Sequence, residues 1–254
     1  MKSVFSTSLM LVFLFSQCTH RTDVSYENIE IMKHANELVN DTTIRYIVEI
    51  DYLNPVAGPE NLQTAIGQIT EKWLKGLFPN QSTSSQNISD VADADMNAFI
   101  KRAQRETSPD QLSARAFELY VSPDSIQYQN AKLLSLSYRF YTYQQGAHGM
   151  NGVYCINFDK KTGEEITCDR LISKEADLLA VAETHFRKQQ NLAKDESFDG
   201  KYFFENNKFV LSKSFAFTAN GIYFFYQPYE IAPYASGVIE LFLPRKDIQK
   251  YIRY

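Results

Sequence analysis

Cysteine, histidine and tryptophan are scarce in this chain of 254 residues, which contains three, four and one of them, respectively. So few thiols and imidazoles leave little material for a metal centre or a catalytic thiol, and we expect neither a metal nor another cofactor. The sequence also contains no glycine-rich phosphate loop, no GxSxG elbow and no HExxH motif. These absences argue against nucleotide-binding, serine-hydrolase and zinc-protease functions.

An excess of positive charge is missing as well. Lysine and arginine number 26 and aspartate and glutamate 30, so the net charge is −4 and we expect no nucleic-acid partner. Hydrophobic residues make up 44% and charged residues 22% of the chain. That composition is typical of a globular protein, and the length allows one large domain or two small ones.

The longest apolar run near the N-terminus, Leu9–Phe15, is too short for the roughly 20 residues that span a bilayer. It predicts a signal peptide over residues 1–17. Cys18 follows directly, and the sequence FSQC resembles a bacterial lipobox, with Gln17 in place of the usual small residue. The resemblance implies that Cys18 carries a lipid and that residues 18–25 form a lipidated tether. We therefore expect an exported protein anchored in the membrane of a bacterial cell envelope, at the outer membrane facing the periplasm or the cell surface. An ordinary secretory signal and an uncleaved anchor are the alternatives.

Export would make a disulfide between the other two cysteines possible, because disulfides persist in oxidising compartments. Cys155 and Cys168 flank a predicted hairpin whose turn lies at Asp159–Gly163. If Asp159 pairs with Glu164, the same register places the two cysteines opposite each other, which predicts a disulfide. The alternative is two buried free thiols.

Helical and strand patterns occur in clusters along the chain. Apolar residues at helical spacing predict helices over Leu62–Leu77 and Asp90–Ala103, and a third helix capped by Ser173. Alternating strand patterns lie before, between and after these helices. Because strands and helices do not alternate singly, we predict an α+β fold with mainly antiparallel sheets and helices packed on them. Two closely packed modules are expected, at residues 26–145 and 146–254.

Asn220-Gly221 predicts a two-residue type I′ turn near the C-terminus. In that register Phe215 lies opposite Tyr226 and Phe217 opposite Phe224. The hairpin would then have one aromatic face.

Short motifs in two stretches of the chain, residues 135–172 and 217–244, resemble a family of domains of unknown function, DUF3298. The first stretch contains Tyr-x-Tyr, Gly-Ala-His-Gly, Asn-Phe-Asp and Lys-Thr-Gly, and the second contains an Asn-Gly hairpin, a Pro-Tyr-Glu-Ile loop and Ala-x-Gly. Residues 26–145 resemble the companion module DUF4163. This pair occurs in the extracellular part of RsiV-type anti-sigma factors, which bind lysozyme, and ahead of the catalytic domain of PdaC-type peptidoglycan deacetylases.

The resemblance implies a binding role, and we expect a protein that is not an enzyme. The four histidines are scattered without the ligand spacing of a deacetylase zinc site. We therefore expect the binding part of such proteins, with a lysozyme-like muramidase or peptidoglycan as the ligand. The alternative is a cryptic cell-wall hydrolase or deacetylase-type enzyme centred on His148.

Two groups of residues are candidate ligand contacts. His148 lies between glycines, where it is suited to contact a ligand or act as a base, or simply to turn the chain. Tyr226, Tyr229, Glu230 and Tyr234 lie in a proline-bounded loop that suits sugar stacking or protein recognition, or the plugging of a sheet end.

Overall fold

The structure is a computed structural model that describes residues 23–39, 42–79, 87–105, 116–144 and 146–254. The predicted signal peptide and Cys18 lie outside the described residues. No helix in these ranges is long and apolar enough to span a bilayer. The strands are β1 (Ser25–Val39), β2 (Thr42–Ala57), β3 (Ala116–Gln129), β4 (Leu133–Tyr143), β5 (Met150–Asp159), β6 (Phe215–Phe217), β7 (Gly221–Tyr226) and β8 (Ile239–Pro244), and the helices are α1 (Glu60–Gly76), α2 (Ile88–Arg105), α3 (Cys168–Leu171), α4 (Glu175–Gln189) and α5 (Arg245–Ile248).

The predicted α+β class with mainly antiparallel sheets is confirmed. Strands β1 to β5 form one sheet in sequence order, in which only β2 and β3 run parallel. Helices α1 and α2 cover one face of this sheet, as their apolar stripes predict. In α1 the buried positions Leu62, Ile66, Thr70 and Leu74 recur every fourth residue. Tyr46 of β2 lies at the centre of this core, where its hydroxyl donates to Asp95 Oδ2 at 3.0 Å.

A second, three-stranded sheet of β6, β7 and β8 packs against α4 and α5. The predicted aromatic face exists, since Phe215, Phe217, Phe224 and Tyr226 belong to one buried cluster. The predicted register is wrong by two residues, because Phe215 lies opposite Phe224. The Thr218 amide donates to the carbonyl of Gly221, so the turn lies one residue earlier than Asn220-Gly221.

The N-cap of α4 is one residue later than the predicted cap Ser173. Lys174 is the N-cap and makes no capping hydrogen bond with its side chain. The backbone amide of Ser173 donates instead to the carbonyl of Tyr251 at 2.8 Å. The C-terminal residues therefore fix the start of this helix through the backbone, which the cap pattern in the sequence does not reveal.

The two sheets are joined by buried polar side chains. Ser135 and Asn157 lie on the face of the first sheet opposite α1 and α2, and both are almost fully buried. The Phe217 amide donates to Ser135 Oγ at 3.0 Å, and Asn157 Nδ2 donates to the Phe215 carbonyl at 2.7 Å. Two side chains of the first sheet thus form hydrogen bonds with backbone groups on the unpaired edge of β6. These bonds fix the second sheet over β4 and β5.

The predicted disulfide does not form, because Cys155 and Cys168 are both free thiols. The hairpin register is right at Phe158 and Glu165, which form a bridge. The chain then leaves the strand, and Cys168 begins α3. Burial raises the pKa of Cys155 to about 12 and that of Cys168 to about 11, so both thiols are protonated at neutral pH.

The module boundary predicted at residue 146 stays a prediction. Strand β5, which follows that position, is hydrogen-bonded to β4 and belongs to the first sheet.

The first described residues are attached at one end of the first sheet. The Gln129 side chain accepts from the Val24 amide and donates to the Val24 carbonyl, both at 3.1 Å. The buried ammonium of Lys160 donates to Asp23 at 2.8 Å and to Gln129 at 3.0 Å. These contacts lie where β3 ends and β4 begins, at the opposite end of β4 from the turn that contains His148.

Candidate functional site

His148 lies in the turn between β4 and β5. The Tyr143 hydroxyl donates to the Gly146 carbonyl at 3.2 Å, and Gly146 has a φ of +130°, which favours glycine. Gly149 lies directly under the ring of Tyr141, so a Cβ there would be 2.3 Å from Tyr141 Cζ. The glycines on either side of His148 therefore let the turn close tightly and leave the imidazole exposed.

The loop after β7 supplies two tyrosines. Gln227 and Glu230 close a turn: the Glu230 amide donates to the Gln227 carbonyl at 2.9 Å, and the Gln227 amide donates to Glu230 Oε2 at 2.8 Å. Within this turn Tyr229 has a φ of +70° and is 52% exposed. A bulky residue in this conformation costs roughly 1–2 kcal/mol, and such strain is concentrated at functional sites.

The two loops meet in a compact group of three rings, which we call the tyrosine–histidine cluster: His148, Tyr229 and Tyr234. The rings of His148 and Tyr234 stack with centroids 3.9 Å apart and planes at 18°. Tyr229 lies 5.7 Å from Tyr234, and its hydroxyl is 3.2 Å from His148 Nε2. The fold thus brings together His148 and two of the three predicted tyrosines.

A glutamine that the sequence analysis missed holds the second loop in place. Gln227 Oε1 accepts from the Val153 amide at 3.0 Å, and Gln227 Nε2 donates to the Val153 carbonyl at 2.9 Å. The side chain thereby pairs with the edge strand β5 as another peptide group would. No local pattern around Gln227 predicts this role, because its partner lies 74 residues earlier in the chain.

Tyr226 and Glu230 were also predicted as ligand contacts, and neither belongs to the tyrosine–histidine cluster. Tyr226 is fully buried and donates its hydroxyl to the Val210 carbonyl at 2.8 Å, so its prediction as a ligand contact is wrong. It faces the aromatic core because it lies two residues after Phe224 in β7, and side chains two residues apart in a strand point to the same face. Glu230 is exposed, but one carboxylate oxygen already accepts the Gln227 amide.

The arrangement suits recognition better than acid–base chemistry. His148 Nδ1 is 2.9 Å from the Gly149 carbonyl, so Nδ1 carries a proton, and in the neutral ring Nε2 accepts from Tyr229. Both ring nitrogens are therefore engaged, and no carboxylate of a described residue forms an ion pair with this imidazole. No group of three histidine, cysteine, aspartate or glutamate residues in the described part of the chain is arranged to hold a metal ion.

Two family models match the chain. Residues 169–246 match the model of DUF3298, a protein family of unknown function. This match covers α4 and the three strands of the second sheet. Residues 33–151 match a second model, described as Deacetylase PdaC. The DUF3298 match contains Tyr229 and Tyr234, whereas His148 lies at the end of the PdaC match, so the tyrosine–histidine cluster joins the two matched regions. The predicted likeness of residues 26–145 to DUF4163 stays a prediction.

Solved structures share the fold over nearly the whole chain. A DUF3298 family member from Bacteroides fragilis has 15% sequence identity and a TM-score of 0.69, and the alignment covers 91% of this chain and 95% of that one. A DUF3298 family protein from Pseudomonas aeruginosa has 18% identity and a TM-score of 0.61, with coverage of 92% and 96%. No curated protein matches the chain significantly. At these identities the two structures support the fold of this chain and not its ligand.

Proposed function

We propose that this protein is an exported, lipid-anchored protein of the bacterial cell envelope that binds another protein or a cell-wall ligand and has no enzymatic activity. A lysozyme-like muramidase is the first candidate ligand, and peptidoglycan is the second. The lipid would be attached at Cys18, as the lipobox resemblance implies. The DUF3298 and PdaC matches support a role at the cell envelope.

The observation that carries the proposal is the tyrosine–histidine cluster, in which His148 and Tyr229 are exposed and Tyr234 is half-buried. Tyrosine is enriched where proteins recognise partners, since its ring offers a large, rigid contact and its hydroxyl a hydrogen bond. Tyr234 is held by stacking on His148, and Tyr229 is held by its turn. Side chains that are already ordered lose little conformational entropy when they bind.

Replacing both Tyr229 and Tyr234 with alanine tests the proposal. We expect the double variant to lose binding by roughly 30-fold or more, because hot-spot aromatic residues contribute about 2 kcal/mol or more. Isothermal titration calorimetry with lysozymes and with muropeptides measures this loss. Phe203→Ala is the control, since Phe203 is also an exposed aromatic residue of the C-terminal module, and its removal should leave affinity unchanged. An unmodified protein that binds neither ligand at high micromolar concentration would contradict the proposal.

A second candidate function is a deacetylase-type or other cell-wall hydrolase activity centred on His148, which the match to Deacetylase PdaC favours. In that case the protein should release acetate or cleave glycan when incubated with peptidoglycan, and His148→Ala should abolish turnover. Release of acetate and of reducing ends measures the two reactions. Tyr143→Phe is the matched control, because it alters the same turn and leaves the imidazole in place. Absence of turnover in the unmodified protein rejects this candidate.

A further inference from the structure

The face of the first sheet opposite α1 and α2 is only partly covered. The second sheet lies over β4 and β5 through Ser135 and Asn157. Strands β1 and β2, residues 120–122 of β3 and the far end of β4 line an open part of this face, and Met32 of β1 is 63% exposed. A groove of about 540 Å³ crosses this open part. We call it the open-face groove, and its principal lining residues are Glu30, Met32, Glu49, Asp51, Tyr120 and Tyr141.

Two carboxylates of the groove face each other without a cation between them. Glu30 of β1 and Asp51 of β2 are directly paired across the antiparallel strands. Like charges in this position destabilise a sheet. No ion pair joins either side chain to any other residue that the structure describes, whereas the neighbouring Glu49 pairs with His34 at 3.0 Å.

The basic side chains near the groove already have acidic partners. Arg139 lies 3.1 Å from both Asp124 and Glu240, and Arg45 pairs with Glu118. These cations therefore do not neutralise Glu30 and Asp51. The open-face groove keeps a net negative charge that a positively charged occupant would balance.

The groove also has an aromatic floor. Tyr120 and Tyr141 are paired across β3 and β4, and their ring centroids are 6.1 Å apart. Tyrosine rings attract ammonium and guanidinium groups, and the exposed Met32 offers an apolar surface to the alkyl stems of lysine and arginine. Carboxylates next to aromatic faces therefore match lysine and arginine side chains in both charge and shape.

We infer that the open-face groove docks a cationic polypeptide segment that presents at least two lysine or arginine side chains. From β1 to β4 the groove spans three strand spacings, or roughly 14 Å, which accommodates two such side chains side by side. The inference rests on the proposed binding function and identifies the charge of the protein partner. Tyr141 also lies against Gly149 of the His148 turn, so the groove ends next to the turn that carries one ring of the tyrosine–histidine cluster.

Charge reversal at the facing carboxylates tests the inference. The probe is a fluorescent octapeptide of alternating lysine and serine, and its binding is followed by fluorescence anisotropy at low salt. We expect the E30K/D51K variant to bind the probe at least roughly tenfold more weakly than the unmodified protein. The neutral E30Q/D51N variant should also lose affinity while its thermal midpoint does not fall, because the facing charges repel each other.

The matched control is D195K/E205K, which changes the net charge by the same amount at exposed positions of the C-terminal module. It should bind the probe with nearly unchanged affinity. Equal losses in both reversed variants, or no binding by the unmodified protein, would overturn the inference. Neither result bears on the binding of lysozyme or muropeptides through Tyr229 and Tyr234, so the two proposals fail separately.

Discussion

Phe186→Ala should lower the free energy of unfolding by about 3–5 kcal/mol, the usual cost of removing a fully buried phenylalanine. Phe186 projects from α4 into the core of the C-terminal module and has no exposed surface. Its ring centroid lies 5.0–6.1 Å from five other aromatic rings, which belong to Phe198, Tyr202, Phe204, Phe209 and Tyr226. Alanine would leave a cavity that these rings can fill only by moving together.

Urea unfolding followed by circular dichroism measures this loss. Phe203→Ala is the control within the same aromatic stretch, since that ring is 57% exposed and its removal should change stability by less than about 1 kcal/mol. Phe186→Leu should recover most of the lost stability because it restores most of the volume. Similar losses for Phe186→Ala and Phe203→Ala would show that Phe186 does not organise this core.

Gly221→Ala should destabilise the protein by about 3 kcal/mol or more, although it adds only one methyl group. A Cβ at Gly221 would lie 2.2 Å from the carbonyl oxygen of Leu243 and 2.9 Å from a ring carbon of Phe242. The nearer atom belongs to the backbone of β8, so no side-chain rotation can move it away. Strands β7 and β8 would have to separate where Gly221 pairs with Pro244.

The thermal midpoint of Gly221→Ala, measured by differential scanning calorimetry, checks this expectation. Gly67→Ala is the matched control, because a Cβ at Gly67 in α1 would have no atom within 4 Å. There the same change should stabilise the protein by roughly 0.5–1 kcal/mol, since alanine favours a helix more than glycine does. A midpoint for Gly221→Ala equal to that of the unmodified protein would contradict the predicted clash.

Local sequence patterns predicted the helices and strands of the fold. They failed where contacts between residues far apart in the chain determine the position of a turn or the end of a hairpin. The spacing of Leu62, Ile66 and Ile69 was enough to place α1. The Asn220-Gly221 pair suggested the wrong turn because the sequence does not show that Gly221 must lie against the backbone of β8. The disulfide prediction failed for a related reason, since the hairpin ends before it reaches Cys168.

The candidate site was predicted in part. His148 is flanked by glycines, and Tyr229 and Tyr234 lie in a proline-bounded loop, so unusual local composition drew attention to all three. That these residues form one cluster was not predictable, because their proximity depends on Gln227, which follows β7 of the second sheet, pairing with Val153 at the edge of the first sheet. Tyr226 was misjudged because its neighbours in sequence resemble those of the exposed tyrosines, while strand alternation turns it inward.

The attachment of Val24 and Asp23 beside Gln129 and Lys160 would set the orientation of a lipid-anchored protein. These residues lie at one end of β4, and the His148 turn lies at the other end. Eleven residues of extended strand separate the two ends, or roughly 36 Å. If Cys18 carries the proposed lipid, the end of β4 near Asp23 would lie closer to the membrane than the three rings, which would be accessible to large molecules that arrive from the opposite side.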